Sequence, residues 1–115
     1  MQKISDDLKN KIAQFQTLQQ QLQMVAAQKQ QMALGKGEAE AANSELANAK
    51  GDVYKHVGPI LVKVGKAELK KELKEAIGAS SDRISLLETQ EQKIALKAQG
   101  LQKELQTGLK GLQGA

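Results

Sequence analysis

Side chains that could carry out catalysis or bind a metal are few and scattered. The chain of 115 residues has no cysteine and a single histidine, His56, which excludes disulfides, thiolate metal sites and histidine clusters. Ser80 and Ser81 lie in a helical sequence with no histidine placed to act as their base. His56 is expected to be a solvated strand residue. We therefore expect no enzyme activity, no bound metal and no cofactor.

Basic residues suggest a second kind of chemistry, the binding of phosphates. The formal net charge is +4, and lysines are frequent in the middle of the chain: Lys50, Lys55, Lys63, Lys66, Lys70, Lys71 and Lys74. Carboxylates interrupt this patch and Tyr54 is its one nearby aromatic residue, so a nucleic-acid surface is a minor alternative. The spacing of Gly58 and Gly65 is wrong for a nucleotide-binding loop, and Ala67 replaces the magnesium-binding Ser or Thr.

Membrane insertion and secretion are not indicated. No uncharged stretch reaches the roughly 18 residues that a membrane helix needs, and the first ten residues carry four charges where a signal peptide would be apolar. The absence of cysteine fits a reducing compartment. We expect a soluble, unprocessed, cytoplasmic protein.

The composition favours long helices over a globular core. Only 2% of the residues are aromatic, and Gln, Lys, Ala, Leu and Glu account for most of the others. In residues 1–50, apolar residues recur alternately four and three positions apart, with some polar interruptions, as in the seam of a coiled coil. These seam residues are Ile4, Leu8, Phe15, Leu18, Leu22, Val25, Met32, Ala39 and Leu46.

The helical pattern stops at Gly51, and residues 51–66 read as a β-hairpin. Two short runs rich in Val, Ile and Tyr are separated by Gly58 and Pro59, which predicts a tight turn there. Because an isolated two-stranded hairpin is marginally stable in water, we expect this one to pair with strands of other chains.

Residues 67–115 resume the heptad pattern and predict a second long helix. If the two helices pack antiparallel, the seams match in a single register in which the numbers of facing residues sum to 116. Examples are Phe15 with Leu101 and Leu22 with Ile94. The same register places polar residues in several layers, for example Lys29 opposite Leu87, and brings the two ends of the chain together.

Glycines within the helices predict a soft zone in the coiled coil. Gly35, Gly37 and Gly78 lie near the layer formed by Lys36 and Ser80. Each helical glycine costs about 1 kcal/mol relative to alanine, so we expect this zone to open more readily than the layers around Leu22.

Particular sequence stretches give the pattern a family likeness. AQFQTLQQQLQ at 13–23, VYKHVG followed by LVK within 53–63, KAELKKELKE at 66–75 and QEQKI at 90–94 resemble the beta-class prefoldin subunits of archaea. The alpha class of that family carries two hairpins, whereas a single hairpin fits between Gly51 and Lys66. The resemblance implies a mostly α fold: one prefoldin beta-type domain over 1–115, a long antiparallel two-helix coiled coil whose central β-hairpin joins an intersubunit β-barrel.

The resemblance also implies a function and a set of partners. Prefoldin is a hexamer of two alpha and four beta subunits that holds unfolded proteins between its coiled-coil tips without ATP. It then passes them to a group II chaperonin. A member of this family is expected to bind neither nucleic acid nor a membrane.

Two groups of residues are predicted to perform this function. The client-binding tips comprise Ile4, Leu8, Ile12, Leu105, Leu109 and Leu112, whose alternative role is only to close the last layers of the coil. The assembly hairpin presents Val53, Tyr54, Val57, Ile60, Leu61, Val62 and Val64, more apolar side chains than a simple exposed turn requires. A coiled-coil adaptor or tether without client-holding activity is the alternative function, but it leaves the hairpin unexplained.

Overall fold

The computed structural model describes the backbone of residues 5–113 and the side chains of residues 5–111. The elements follow the order helix, strand, strand, helix. They are α1 (Asp6–Asn48), β1 (Val53–Val57), β2 (Ile60–Val64) and α2 (Lys66–Gln113). Both predicted helices and the hairpin between them are thus confirmed.

Helix α1 begins at a capped N-terminus. The Leu8 amide donates to Ser5 Oγ at 3.1 Å and the Lys9 amide donates to the Ser5 carbonyl at 3.0 Å, which makes Ser5 the N-cap residue. Asp6 and Asp7 in the first turn interact favourably with the positive end of the helix dipole.

The turn from α1 into the hairpin is fixed by a glycine and a lysine. Gly51 has a φ of +89°, a conformation that L residues rarely adopt. The Lys66 ammonium, on the first residue of α2, donates at 3.0 Å to the Ala49 carbonyl just beyond the end of α1. A cation at a helix C-terminus satisfies a carbonyl that lacks a helical partner.

The hairpin has the predicted two-residue turn. Val57 pairs with Ile60 and Val53 with Val64, so Gly58 and Pro59 form the loop. Gly58 has a φ of +59° at the first loop position, where a type II′ turn requires glycine, and Pro59 follows without being needed as a ladder donor.

The chain divides into two compact units. The first comprises Met1–Lys29 with Leu86–Ala115, and the second comprises Gln30–Ser85 with the hairpin. In the first unit the most buried apolar side chains are Leu8, Val25, Leu87, Ala98 and Leu105, and in the second it is Leu46. All six occupy positions of the predicted seams: Leu8, Val25 and Leu46 belong to the first, and Leu87, Ala98 and Leu105 belong to the second, where the register sets them opposite Lys29, Leu18 and Lys11.

The register of the seam is confirmed at one contact. A Cβ built on Gly108 would lie 3.0 Å from Leu8 Cδ1, so Leu8 packs directly on the glycine backbone, and these residue numbers sum to 116. Polar residues at seam positions are also partly buried. Lys29, Lys36 and Asn43 are each partly covered, as their seam positions predict.

The glycines do not interrupt the helices. α1 runs without a break through Gly35 and Gly37, and α2 runs through Gly78. An added Cβ would meet nothing within 4 Å at any of the three. The greater mobility of this zone stays a prediction.

Candidate functional site

The hairpin in the second unit presents apolar side chains on both of its faces. Val53 and Val64 are half-buried on the face that meets the helices. On the same face, Lys55 Nζ forms an ion pair with Glu72 Oε1 of α2. The remaining apolar residues of the hairpin are exposed: Tyr54, Val57, Ile60, Leu61 and Val62.

Exposure is high where the hairpin turns. Ile60 keeps 58% and Leu61 61% of its surface accessible, and these adjacent residues point to opposite faces of the strand. Within residues 5–113 the sheet has two strands, so each strand has one edge without a backbone partner. Free edges beside exposed apolar side chains make a surface that favours pairing with another chain.

A cavity of about 500 Å³ lies between the hairpin and the helices of the second unit. Val53 and Tyr54 line it from β1, Ala42 and Leu46 from α1, and Leu69 from α2. The hairpin is therefore incompletely packed against its own helices, and Tyr54 is left 55% exposed at the border of the cavity.

The predicted client-binding tips fall partly outside the described side chains, since those of Ile4 and Leu112 are not among them. Leu8 and Leu105 are buried in the seam, with 8% and 9% of their surfaces accessible, and Ile12 is half-buried. Leu109 is 43% exposed. Among the predicted tip residues whose side chains are described, Ile12 and Leu109 thus contribute accessible apolar surface, while Leu8 and Leu105 close coil layers.

A groove near these residues was not foreseen from the sequence. It has a volume of about 580 Å³ and is lined by Ala13, Thr17 and Leu18 of α1 and by Gly100 and Leu101 of α2, with Lys97 and Glu104 also contributing. A Cβ at Gly100 would meet nothing within 4 Å, so the missing side chain leaves space beside the seam. The signal was present in the sequence, as a glycine adjacent to the seam residue Leu101.

The first unit contains ion pairs at two places, one around Lys11 and one between Lys29 and Glu91. Lys11 Nζ lies 3.2 Å from Asp7 Oδ2 and 3.7 Å from Glu104 Oε2. The hydrogen bond and charge of Asp7, supported by the charge of Glu104, raise the pKa of the Lys11 ammonium above its ordinary value. In the seam, Lys29 Nζ donates to Glu91 Oε1 at 3.0 Å, and both side chains are about 30% exposed.

The seam pair Lys29–Glu91 was also missed by sequence reasoning, although the register contained it. In that register Lys29 faces Leu87 and Glu91 faces Val25, which places the two charges in adjacent layers. A long lysine side chain spans one layer, so two separately unfavourable positions become one ion pair.

Two kinds of site are absent from the described residues. Within residues 5–113, no three His, Cys, Asp or Glu side chains are close enough to hold a metal ion. Over the same residues, neither helix contains a segment with the length and apolarity that a bilayer crossing requires.

Two long helices with heptad seams, connected by a two-stranded antiparallel hairpin, define a class of protein, the coiled-coil helical hairpins with a β-hairpin between the helices. Comparison with known proteins places the chain within that class. Residues 9–111 match the family model for prefoldin subunits. The chain belongs to the prefoldin family of chaperone subunits, which confirms the resemblance.

Relatives of known identity align along nearly the whole chain. A prefoldin subunit beta of Methanothrix thermoacetophila is 41% identical over 89% of this chain and 87% of its own length. Those of Thermococcus onnurineus and Pyrococcus horikoshii are 36% and 38% identical, over 99% and 96% of this chain and 100% and 96% of their own lengths.

Solved structures show the same fold. The crystal structure of the prefoldin beta subunit from Thermococcus strain KS-1 superposes with a TM-score of 0.84 at 37% identity, covering 95% of this chain and 97% of that one. The beta2 subunit from the same strain has a TM-score of 0.70 at 20% identity, covering 77% of this chain and 97% of that one, and supports the fold alone.

Proposed function

We propose that this chain is the beta-type subunit of a cytoplasmic, ATP-independent chaperone. It assembles through its hairpin with an alpha-class subunit, in a hexamer of two alpha and four beta chains. The assembly holds unfolded proteins at the helix ends and delivers them to a group II chaperonin. The observation that carries the proposal is the hairpin itself. Within residues 5–113 each of its strands has one edge without a strand partner, and most of its apolar residues are exposed: Tyr54, Val57, Ile60, Leu61 and Val62.

Client binding is supported by the apolar surface of the first unit. Ile12 and Leu109 leave apolar area accessible near the helix ends, and the groove at Gly100 adds a concave surface. Burial of apolar area is worth about 25 cal/mol per Å² and does not depend on direction, so such surfaces accept many sequences weakly. Several weak contacts on one assembly then combine through effective concentration.

The buried leucines add to this surface only if the last layers open. Leu8 and Leu105 are covered in the closed coil, and the N-cap at Ser5 and the ion pairs of Lys11 hold the first turns together. Helix ends fray more readily than helix interiors. We infer that a client gains contact with Leu8 and Leu105 by replacing the partner helix in these layers.

The test mixes the full-length chain with an alpha-class prefoldin subunit and follows aggregation of a chemically denatured protein by light scattering, without ATP. The hexamer should suppress aggregation. The double variant Ile12→Ser and Leu109→Ser should assemble normally but protect poorly. Leu96→Ser is the matched control, because Leu96 is 68% exposed on α2 of the same unit yet distant in sequence from the helix end.

Three outcomes separate the hypotheses. Failure to form a hetero-oligomer contradicts the assembly role of the hairpin. Assembly without any protection favours the adaptor or tether. Equal protection by the tip variant and the wild-type chain removes the assignment of Ile12 and Leu109 while leaving the chaperone function in place.

A further inference from the structure

The net charge of the chain is concentrated around the hairpin. Residues 50–75 contain seven lysines and four carboxylates, so this segment carries three of the chain's four net positive charges. The proposed assembly surface therefore lies within its most basic segment.

In the structure, some of the lysines and carboxylates that alternate in this part of the sequence form ion pairs with one another. Asp52 forms an ion pair with Lys63 at 3.4 Å, and Glu72 forms one with Lys55. The paired carboxylates thus neutralise the lysines of the hairpin, so the excess charge of the segment lies on Lys50 and on the lysines of α2.

Three lysines spaced four residues apart form a strip along one side of α2. This lysine strip consists of Lys66, Lys70 and Lys74, all exposed, which line a hollow of about 460 Å³ together with Asn43, Leu46 and Ala47 of α1. Among the described residues, Lys70 and Lys74 take part in no salt bridge. Like charges at this spacing on a helix repel one another, so the strip destabilises the helix until an opposite charge neutralises it.

The floor of the hollow contains a second unsatisfied group. Asn43 Oδ1 is buried and lacks a hydrogen-bond partner within the described part of the chain. Buried acceptors in folded proteins are normally satisfied, so this atom marks incomplete packing around Asn43. The hollow is thus bordered by Lys70 and Lys74, which no described carboxylate neutralises, and by a residue with an unsatisfied polar atom.

We infer that the lysine strip is an electrostatic part of the assembly surface, which binds a carboxylate-rich segment of a different prefoldin subunit. The inference rests on the proposed assembly through the hairpin. Lys66 lies two residues after the end of β2. A subunit that pairs with the hairpin therefore places the part of its own chain nearest the hairpin beside the strip. Carboxylates there neutralise Lys70 and Lys74.

The same strip disfavours pairing of the chain with itself. Two copies that meet through their hairpins bring together two segments that each carry three net positive charges. Charge complementarity with one partner and repulsion of another is a general source of specificity between related interfaces. The strip therefore selects a hetero-oligomer over a homo-oligomer.

Nucleic acid fits the strip less well than a carboxylate-rich protein surface. The segment 50–75 contains no arginine, and Tyr54 is its one aromatic residue, on the hairpin. Stacking and bidentate phosphate contacts are thus both lacking.

The test measures association with an alpha-class subunit by analytical ultracentrifugation, at about 50 and about 500 mM salt, where charge screening differs strongly. The double variant Lys70→Glu and Lys74→Glu reverses the strip while keeping Lys66, which caps α1. We expect its hetero-assembly at low salt to weaken roughly tenfold or more, and its self-association to increase. Lys93→Glu with Lys103→Glu reverses the same number of charges at exposed positions of the same helix and should change neither.

The dependence of assembly on salt concentration is an independent test of the inference. Hetero-assembly of the wild-type chain should weaken as salt rises, whereas its self-association should strengthen. Unchanged hetero-assembly of the Lys70/Lys74 variant would overturn the inference but leave hairpin assembly intact, whereas no assembly by the wild-type chain would contradict the proposed function itself. Titration with a short RNA or DNA duplex is the third arm: strip-dependent binding there, with hetero-assembly unaffected, would reassign the strip to nucleic acid.

Discussion

Lys29 and Glu91 illustrate how a single residue pair gives a coiled coil its register. Both lie at seam positions, where an apolar residue would add more stability, yet each satisfies the other at 3.0 Å. A shift of either helix by one heptad separates the two charges and leaves both half-buried without a partner. Such polar seam contacts reduce stability in exchange for a single alignment.

A double-mutant cycle tests this role. Glu91→Leu should destabilise the fold by about 1 kcal/mol, because it leaves the Lys29 ammonium partly buried and unpaired, with the cost reduced by its partial exposure. The pair Lys29→Leu with Glu91→Leu should recover that loss, since two apolar layers replace the ion pair. Urea denaturation at a fixed chain concentration measures both.

The double variant should also lose its single register. Disulfide trapping between cysteines placed at facing and at heptad-shifted positions would detect the shifted alignments. If the double variant retains one alignment as strictly as the wild-type chain does, the ion pair has no role in register.

Two glycines that both lie within helices should respond differently when each is replaced by alanine. Gly35→Ala fills open space and removes a flexible residue from α1, so we expect a gain of about 1 kcal/mol. At Gly108 the methyl group would lie 3.0 Å from Leu8 Cδ1, and the necessary shift of Leu8 should cancel the gain. Thermal unfolding of both variants measures the difference, and equal gains would show that Leu8 does not pack on Gly108.

Sequence reasoning at the residue scale succeeded where one pattern decides the outcome. The six most buried apolar residues were all recognisable from heptad spacing, because seam burial depends on periodicity alone. The groove at Gly100 was not recognisable in the same way. Nor was the difference between the lysine strip (Lys66, Lys70 and Lys74) and the lysines of the hairpin that form ion pairs. Both depend on which side of the seam a residue faces and on the partner across it.

At the scale of the element, the start of α1 depends on Ser5. Its hydroxyl accepts the Leu8 amide, and Leu8 is also the residue that packs on Gly108, so one cap supports both the helix turn and its packing. The first turn is thus coupled to the last described turns of α2 within the first unit.

Removing the cap should loosen this turn. Ser5→Ala should cost about 1 kcal/mol and speed hydrogen exchange at the Leu8 amide, whereas Ser5→Asp keeps an acceptor and should preserve the protection. Amide exchange followed by NMR measures the effect. Equal exchange rates in the Ala and Asp variants would show that the cap does not control the turn.

The hairpin was the element best specified by local sequence. Glycine with positive φ followed by proline leaves few turn geometries, and the flanking β-branched residues fixed the pairing of Val57 with Ile60. The sequence reasoning began the second helix one residue late, at 67, because Lys66 is a helical residue whose side chain reaches back to Ala49. Such a cap depends on a contact that periodicity cannot reveal.

At the scale of the whole molecule, most apolar surface of the hairpin is available only to other chains. Ile60→Asp with Leu61→Asp should leave the helical content of the chain unchanged, since both residues are exposed in the single chain. It should abolish assembly with an alpha-class subunit, because burying two unpaired carboxylates is strongly unfavourable. Circular dichroism and ultracentrifugation report the two properties separately.

Leu96→Asp is the control for that experiment, as it places the same charge on an exposed leucine of α2. It should assemble normally. Assembly of the hairpin variant at wild-type affinity would show that subunits meet through another surface.

The free edges of the hairpin also have a consequence for gene dosage. Each strand has backbone donors and acceptors that no other strand within residues 5–113 pairs, and strands supplied by other molecules would satisfy them. Surplus copies made without a matching number of partners would therefore expose strand edges that can pair with other chains, and these copies would aggregate or be degraded. We expect the cell to keep synthesis of this chain in a fixed ratio to that of its partner, and the harm from an imbalance to increase with the size of the surplus.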